Sequence, residues 1–177
     1  MPDRLPPPDP LVLIDEGREC RREAFPDLRL EEAGHLAHLN TLGHLIEAYM
    51  LQRLKPHGVS PSDYRVLTAL LLAVRGERAT PQVLNHFTRI TSAGMTRTLD
   101  RLEGAGYLAR VPNPEDRRSV LVELTPTGRE LAESVMRDVQ GHYAETLEGL
   151  ADPDLKGEVE TLRRIIARLD RATANRR

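Results

Sequence analysis

Two adjacent arginines, Arg117 and Arg118, follow Asp116 at the end of a turn-forming segment, residues 113–116, Asn-Pro-Glu-Asp. A guanidinium carries a permanent positive charge and several donors in one plane, so it binds phosphate oxygens and the edges of bases. Two such groups beside a turn predict the binding of an anionic partner, and a groove of DNA is the partner that a projecting tip fits. A charged surface loop without this role is the alternative interpretation.

The residues on either side of this turn predict a β-hairpin that leads into a helix. Residues 107–111 and 120–124 are rich in β-prone side chains, and the second run places alternate residues on opposite faces. Thr125 is expected to cap the following helix, in which Pro126 takes the first position.

Two short helices are predicted immediately before the hairpin. The first begins at Thr80-Pro81, and the second is capped by Thr91 and stopped by glycines at 104 and 106. The residues expected to set the angle between the two helices are Phe87, Ile90 and Leu99. Two short helices joined by a tight turn and followed by a hairpin are typical of a winged helix-turn-helix.

The start of the second short helix is small or polar on the side opposite its apolar residues, so it can approach DNA closely. The residues expected to form this end are Ser92, Ala93, Gly94, Thr96 and Arg97. We expect Thr96 and Arg97 to contact bases in the major groove, because a guanidinium can pair with guanine through two hydrogen bonds. Ser92 lies near the helix start, where backbone N–H groups also attract phosphate.

Arg101 has two open interpretations. It lies one helical turn after Arg97, from where its side chain can reach the DNA backbone. Its acidic neighbours Asp100 and Glu103 offer a surface ion pair instead, and the sequence does not decide between these roles.

The hairpin arginines are expected to make different contacts. Arg118 is the candidate for the minor groove, where arginines respond to groove width and potential more than to base identity. Asp116 is expected to hold the Arg118 guanidinium in place, and Arg117 is expected to contact phosphate.

Composition and charge limit the class of protein. The chain has 177 residues, 3% aromatic residues and no Trp, so aliphatic side chains must fill its core, which favours packed helices in one folded unit. The net charge is -2, but residues 1–34 hold five Arg and nine Asp or Glu, which leaves 20 basic and 18 acidic residues elsewhere. In residues 89–118 six Arg oppose four acids, a modest basic patch.

The single cysteine, Cys20, cannot form an intramolecular disulfide. The sequence shows no leader-like segment and no long apolar run. We therefore expect a cytoplasmic protein that makes no membrane contact.

Long apolar stripes predict helices on both sides of the winged region. Residues 31–54 carry apolar side chains at every third or fourth position, and similar stripes follow Thr125 and Asp152. A further helix is expected to begin at Ser60-Pro61. Because helices of this length expose more apolar surface than one small domain covers, we expect them to pair in a homodimer.

The residues before these helices are expected to form an extension. Residues 1–10 hold five of the 13 prolines, a composition that favours an extended or disordered arm. Residues 11–25 predict an accessory helix with a thin apolar face, interrupted by Pro26.

Taken together, residues 80–128 resemble the MarR family of bacterial transcription regulators. Residues 116–118, Asp-Arg-Arg, and 124–128, Leu-Thr-Pro-Thr-Gly, match the family's D-x-R and L-T-x-x-G pattern. Residues 101–108, Arg-Leu-Glu-Gly-Ala-Gly-Tyr-Leu, match its R-L-E-x-x-G run. Gly94 stands where many relatives have Ser or Thr. A glycine inside a helix costs about 1 kcal/mol of stability relative to alanine. It either permits a closer approach of the helix to a base or removes a contact with the DNA.

The resemblance implies a mainly α fold with a small β-hairpin wing, in which N- and C-terminal helices intertwine in a homodimer. It implies a regulator, a repressor in our interpretation, that binds a pseudo-palindromic operator in double-stranded DNA and is released by a small aromatic or anionic effector. The implied parts are an N-terminal extension over residues 1–30, a family domain over 31–177, a winged helix-turn-helix over about 60–125, and dimerisation helices over about 31–55 and 126–172.

Family ligands lie between the first two helices and the winged domain. The candidate lining residues here are Tyr49, Met50, Tyr64 and Arg65. Helical spacing explains Tyr49 and Met50 equally well as residues of the core or of a dimer interface, so the pocket is a hypothesis.

Other functions find less support in the sequence. No nucleophile, metal-protease, phosphate-loop or C-x-x-C motif occurs, so we predict neither an enzyme nor a cofactor. His35 and His38 are one turn apart but lack a clear carboxylate or thiolate partner, and no metal site is predicted. The alternatives that stay open are a helical protein-interaction module and a redox-responsive regulator that uses Cys20, as some relatives use an N-terminal cysteine.

Overall fold

The computed structural model describes residues 9–27, 30–73, 78–116, 118–149 and 152–174. The chain divides into two compact units, of which the first ends at Met136 and the second begins at Arg137. Most of the arm predicted for residues 1–10 lies outside the described residues.

The first two helices confirm the predicted accessory helix and the first long helix. In α1 (Pro10–Ala24) the carboxylate of Asp9 accepts a hydrogen bond of 2.8 Å from the Leu11 N–H, and Ile14 is buried where α1 packs against α2. The long helix α2 (Leu30–Leu54) ends in a 3-10 turn, and Gly58 follows with φ 66°, a left-handed conformation that glycine adopts without strain.

The next helix begins with a closed capping box. In α3 (Pro61–Thr68) the Ser60 hydroxyl accepts from the Asp63 N–H at 3.2 Å, and the Asp63 carboxylate accepts from the Ser60 N–H at 2.9 Å. The helix then widens into a π-helical turn, Ala69–Ala73, which the sequence pattern did not predict. The end predicted near Val74 and Gly76 lies outside the described residues.

The helix-turn-helix has the predicted bounds and caps. It consists of α4 (Pro81–Thr88) and α5 (Ser92–Gly104). The hydroxyls of Thr80 and Thr91 accept from backbone N–H groups three residues on, at 3.3 and 3.2 Å.

The prediction that Phe87 fixes the angle between these helices is wrong, because its side chain is 51% exposed. The buried residues of α4 are Leu84 and Thr88, which lie one turn apart on one face of the helix. The Thr88 hydroxyl donates to the Leu84 carbonyl at 2.8 Å, which allows a polar residue to be buried there. Leu99 is buried as predicted, and Ile90 is half-buried.

The wing is a three-stranded antiparallel sheet. The predicted hairpin is formed by β2 (Leu108–Pro112) and β3 (Val120–Leu124), with Arg110 opposite the buried Val122. The unpredicted strand β1 (Arg78–Ala79) pairs with the other edge of β3 and gives the order β1-β3-β2. Arg78 Nε lies 2.5 Å from the Glu123 carboxylate, so an ion pair supports the short strand.

The junction after β3 explains the residue types in the L-T-x-x-G run. The Thr125 hydroxyl donates to the Gly106 carbonyl at 2.7 Å and accepts from the Gly128 N–H at 3.0 Å, which caps α6 (Pro126–Thr146) as predicted. A Cβ added at Gly128 would lie 1.9 Å from the Tyr107 carbonyl oxygen. The helix therefore starts against the backbone of the α5–β2 turn, and only glycine fits there.

The second unit contains the end of α6 and the helix α7 (Asp152–Ala174), which begins at the predicted Asp152-Pro153. Several apolar side chains of α7 are half-exposed, namely Val159, Ile166 and Leu169.

Candidate nucleic-acid interface

The first turns of α5 carry an exposed polar face. Ser92, Ala93, Thr96 and Arg97 are exposed, as predicted from their spacing. The opposite face is buried and consists of Met95, Thr98, Leu99 and Leu102. The Thr96 hydroxyl donates to the Ser92 carbonyl at 3.2 Å, so its proton is engaged within the helix while its oxygen can still accept a hydrogen bond.

Gly94 is placed differently from its neighbours. It is half-buried, and a Cβ added there would lie 3.0 Å from both Ile90 Cγ2 and Thr91 Oγ1. A side chain would therefore press on the turn before α5. The packing of this turn is therefore a local reason for glycine, in addition to the closer approach to a base or the lost DNA contact considered from the sequence.

Arg101 makes an ion pair that the sequence did not indicate. Its Nε lies 3.1 and 3.2 Å from the two carboxylate oxygens of Asp63, and its Nη2 lies 2.5 Å from Oδ1 and 3.1 Å from the Ser60 hydroxyl. Asp63 is only 4% exposed. The Arg101 guanidinium thus links α5 to the cap of α3. This pair takes the place of the surface ion pair with Asp100 or Glu103. It also competes with the proposed contact of Arg101 to the DNA backbone.

The two acids of α5 pair with Arg110 of β2 instead. Arg110 Nη2 lies 2.6 Å from Asp100 Oδ1, and Nη1 lies 2.6 Å from Glu103 Oε2. No local pattern in the sequence indicates this residue, since only the β2–β3 register and the packing of β2 on α5 bring it there.

The tip of the wing is closed by side-chain hydrogen bonds to the backbone. Asp116 Oδ1 accepts from the Arg118 N–H at 2.9 Å, and Asn113 Oδ1 accepts from the Glu115 N–H at 3.0 Å. Asp116 therefore positions the backbone of Arg118, whereas we predicted that it would hold the guanidinium. Arg118 is exposed, and Arg117 lies outside the described residues.

The four residues proposed for a ligand pocket lie on α2 and α3. The Arg53 guanidinium lies 5.8 Å from the Tyr49 ring centre, Met50 and Tyr64 are half-buried, and Arg65 is exposed. A cavity of about 430 Å³ opens between α1 and α2, but none of the four lines it. Its polar wall consists of Arg21, Thr41 and His44.

Three further observations concern metal binding, the cysteine and membrane spans. In the described ranges, no three side chains of His, Cys, Asp or Glu are grouped so that they could hold a metal ion, and the His38 ring contacts the Gly34 carbonyl at 2.8 Å. Cys20 is exposed on α1. Among the described helices, none combines the length and apolar character needed to cross a membrane.

Comparison with known proteins agrees with this arrangement. The sequence profile of the MarR family matches residues 57–119. The chain is 27% identical over 167 residues to the HTH-type transcriptional regulator PecS of Dickeya dadantii. The aligned residues make up 94% of this chain and 98% of PecS.

Two solved structures are similar in fold and sequence. A MarR mutant from E. coli complexed with operator DNA is 27% identical, with a TM-score of 0.64 over 82% of this chain and 96% of that one. BpsR of Bordetella bronchiseptica, whose DNA binding is regulated by 6-hydroxynicotinic acid, is 28% identical, with a TM-score of 0.65 over 78% and 95%. Residues 57–119 thus match the MarR family, and the relatives named above are regulators of transcription, one of them solved in complex with operator DNA.

Proposed function

We propose that this protein is a homodimeric repressor that binds a pseudo-palindromic operator and releases it when a small ligand binds. The observation that carries the proposal is the exposed face of α5, where Ser92, Thr96 and Arg97 lie opposite a fully packed apolar face. A helix whose first turns are small, polar and exposed fits the major groove of DNA. The E. coli relative bound to operator DNA supports the same use of this fold.

The wing supplies the second contact in this proposal. Arg118 reaches the minor groove from the closed tip, and Arg117 contacts phosphate beside it. These contacts add affinity with weak sequence preference, whereas Arg97 distinguishes base pairs.

Dimerisation is proposed through residues 31–55 and 126–172, on either side of the winged region at about 60–125. Its support is the number of large apolar side chains that α2 leaves exposed: Leu36, Leu42, Leu45, Ile46 and Leu51. An Ile46→Glu substitution should lower the dimer fraction in sedimentation equilibrium, because it places a charge in this apolar surface. Gln52→Glu adds the same charge at another exposed position of α2 and should leave the dimer intact.

The proposed effector is a small aromatic or anionic molecule. Regulation of BpsR by 6-hydroxynicotinic acid supports this class, and Tyr49, Met50, Tyr64 and Arg65 are its candidate contacts. Thermal-shift screening of aromatic carboxylates should find a stabilising compound whose shift is smaller in Tyr49→Ala and Arg65→Ala variants. Equal shifts in these variants and the wild type would remove both residues from the site.

Footprinting on the DNA upstream of the protein's own gene tests the repressor proposal. We expect protection of two half-sites about 10 base pairs apart, centre to centre, or a multiple of that spacing. Affinity should fall steeply with salt, because phosphate contacts release counterions. A failure to bind at every salt concentration would favour a winged domain that binds protein.

A further inference from the structure

Arg110 of β2 connects the wing to α5 through two carboxylates. Its guanidinium lies 2.6 Å from Asp100 and 2.6 Å from Glu103, with one terminal nitrogen assigned to each acid. The Arg110 side chain is 35% exposed, and those of Asp100 and Glu103 are 57% and 38% exposed. Because Arg110 lies opposite the buried Val122 in the sheet, its backbone position is fixed.

Asp100 shares the helix face that carries the proposed base contacts. It follows Arg97 by three residues and Thr96 by four, and both spacings bring side chains together on one face of a helix. A free carboxylate at this position would repel phosphate and could form an i, i+3 ion pair with Arg97. Glu103 follows Arg97 by six residues and is not placed to do so.

We propose that Arg110 is a positioning residue for DNA recognition: by holding Asp100, it keeps this acid from capturing the Arg97 guanidinium, which stays free for DNA. Glu103 acts as the second anchor that keeps Arg110 turned toward α5. This inference rests on the proposed base contact of Arg97.

The direct test is a rescue experiment on full-length protein, with operator and random-sequence DNA compared by fluorescence anisotropy. Arg110→Gln should weaken operator binding about three- to tenfold, the range expected for one exposed ion pair plus an unneutralised charge near phosphate. Adding Asp100→Asn should restore binding to within about twofold of wild type, because the competing carboxylate is gone.

The matched control is Arg110→Gln combined with Glu103→Gln. It removes the same charge from the other partner, and we expect no recovery of operator discrimination. A merely structural role of Arg110 would give equal defects in both double variants, since neither restores the link between β2 and α5.

Three results would overturn the inference: unchanged binding by Arg110→Gln, no rescue by Asp100→Asn, or equal rescue by both acid substitutions. Thermal unfolding of each variant verifies that the compared proteins are folded. If Arg110→Gln does not fold, the Arg110→Lys variant, which retains the positive charge but has a single donor group, is compared with and without Asp100→Asn.

Failure of the underlying proposal gives a different pattern. If Arg97→Ala alone leaves operator discrimination intact, Arg97 is not a base contact. If Arg97→Ala abolishes discrimination, Arg110→Gln should have no further effect on discrimination in that background.

Discussion

The carboxylate of Asp63 and the guanidinium of Arg101 meet at three short contacts, although 38 residues separate them in the chain. The same carboxylate caps α3 through the Ser60 N–H, and Ser60 in turn accepts from Arg101. One buried acid thus contacts both the start of α3 and a side chain of α5.

We predict that Asp63→Ala lowers the free energy of unfolding by about 1–3 kcal/mol, because it removes both a capping contact and the partner of Arg101. Arg101→Ala should also destabilise, by a smaller amount, since its side chain is 52% exposed. Urea unfolding of the two single variants and the double variant measures their coupling.

Arg97→Ala is the control for this pair, because it removes an exposed guanidinium from the same helix and should change stability by less than about 0.5 kcal/mol. Should Arg101→Ala leave stability unchanged and reduce the salt dependence of DNA binding, Arg101 would be a phosphate contact as first considered.

Gly128→Ala is predicted to destabilise the protein by about 1–3 kcal/mol or more, because the added methyl group overlaps the Tyr107 carbonyl and forces the start of α6 away from it. Gly141→Ala in the same helix is the matched control. A Cβ at Gly141 has no neighbour within 4 Å, so this change should stabilise by up to about 1 kcal/mol. Melting temperatures that rise in both variants would contradict the close contact at Gly128.

Helix starts could be predicted from the sequence because their signals are local. Ser60-Pro61, Thr80-Pro81 and Thr125-Pro126 each place a capping side chain next to a proline, and each begins a helix in the structure. The strand Arg78–Ala79 could not be predicted in the same way. It is two residues long and exists because it pairs with residues about 45 positions further along the chain.

Arg89→Gly is predicted to raise the free energy of unfolding by up to about 1 kcal/mol. Arg89 ends α4 with φ 54°, a left-handed conformation that is strained for a residue with a side chain. The backbone hydrogen bond from the Arg89 N–H to Asn85, 2.9 Å long, is kept in the variant.

A glycine at another left-handed position provides the comparison. Gly58→Ala introduces a side chain at φ 66° where nothing lies within 4 Å, so any destabilisation comes from the backbone alone. Equal stability of Arg89→Gly and wild type in chemical denaturation would mean that the turn carries no such strain.

Arg118→Ala is predicted to weaken operator binding without unfolding the protein. The side chain is exposed at the wing tip, and the Asp116 contact to its backbone N–H does not require the guanidinium. In a mobility-shift salt series, the slope of log affinity against log salt should fall by roughly 1.

Arg168→Ala removes the same charge from an exposed position of α7 and should leave that slope unchanged. Wild-type affinity of Arg118→Ala at moderate salt would remove Arg118 from the DNA interface.

The site was predictable to the extent that helical periodicity decides exposure. Helical periodicity predicts that Ser92, Thr96 and Arg97 lie on the exposed face of α5, and all three are exposed in the structure. The ion-pair partners of the arginines could not be predicted, because each charged side chain has several oppositely charged residues that it could reach. Arg101 and Arg110 take partners that only the tertiary packing brings within reach.

The most direct test of the account compares wild type and Arg97→Ala on operator DNA and on random-sequence DNA of equal length, at one salt concentration. A base contact predicts a loss of roughly 1–3 kcal/mol on the operator and a much smaller loss on random DNA, so that discrimination relaxes. Equal losses on both DNAs would contradict it and make Arg97 a phosphate contact.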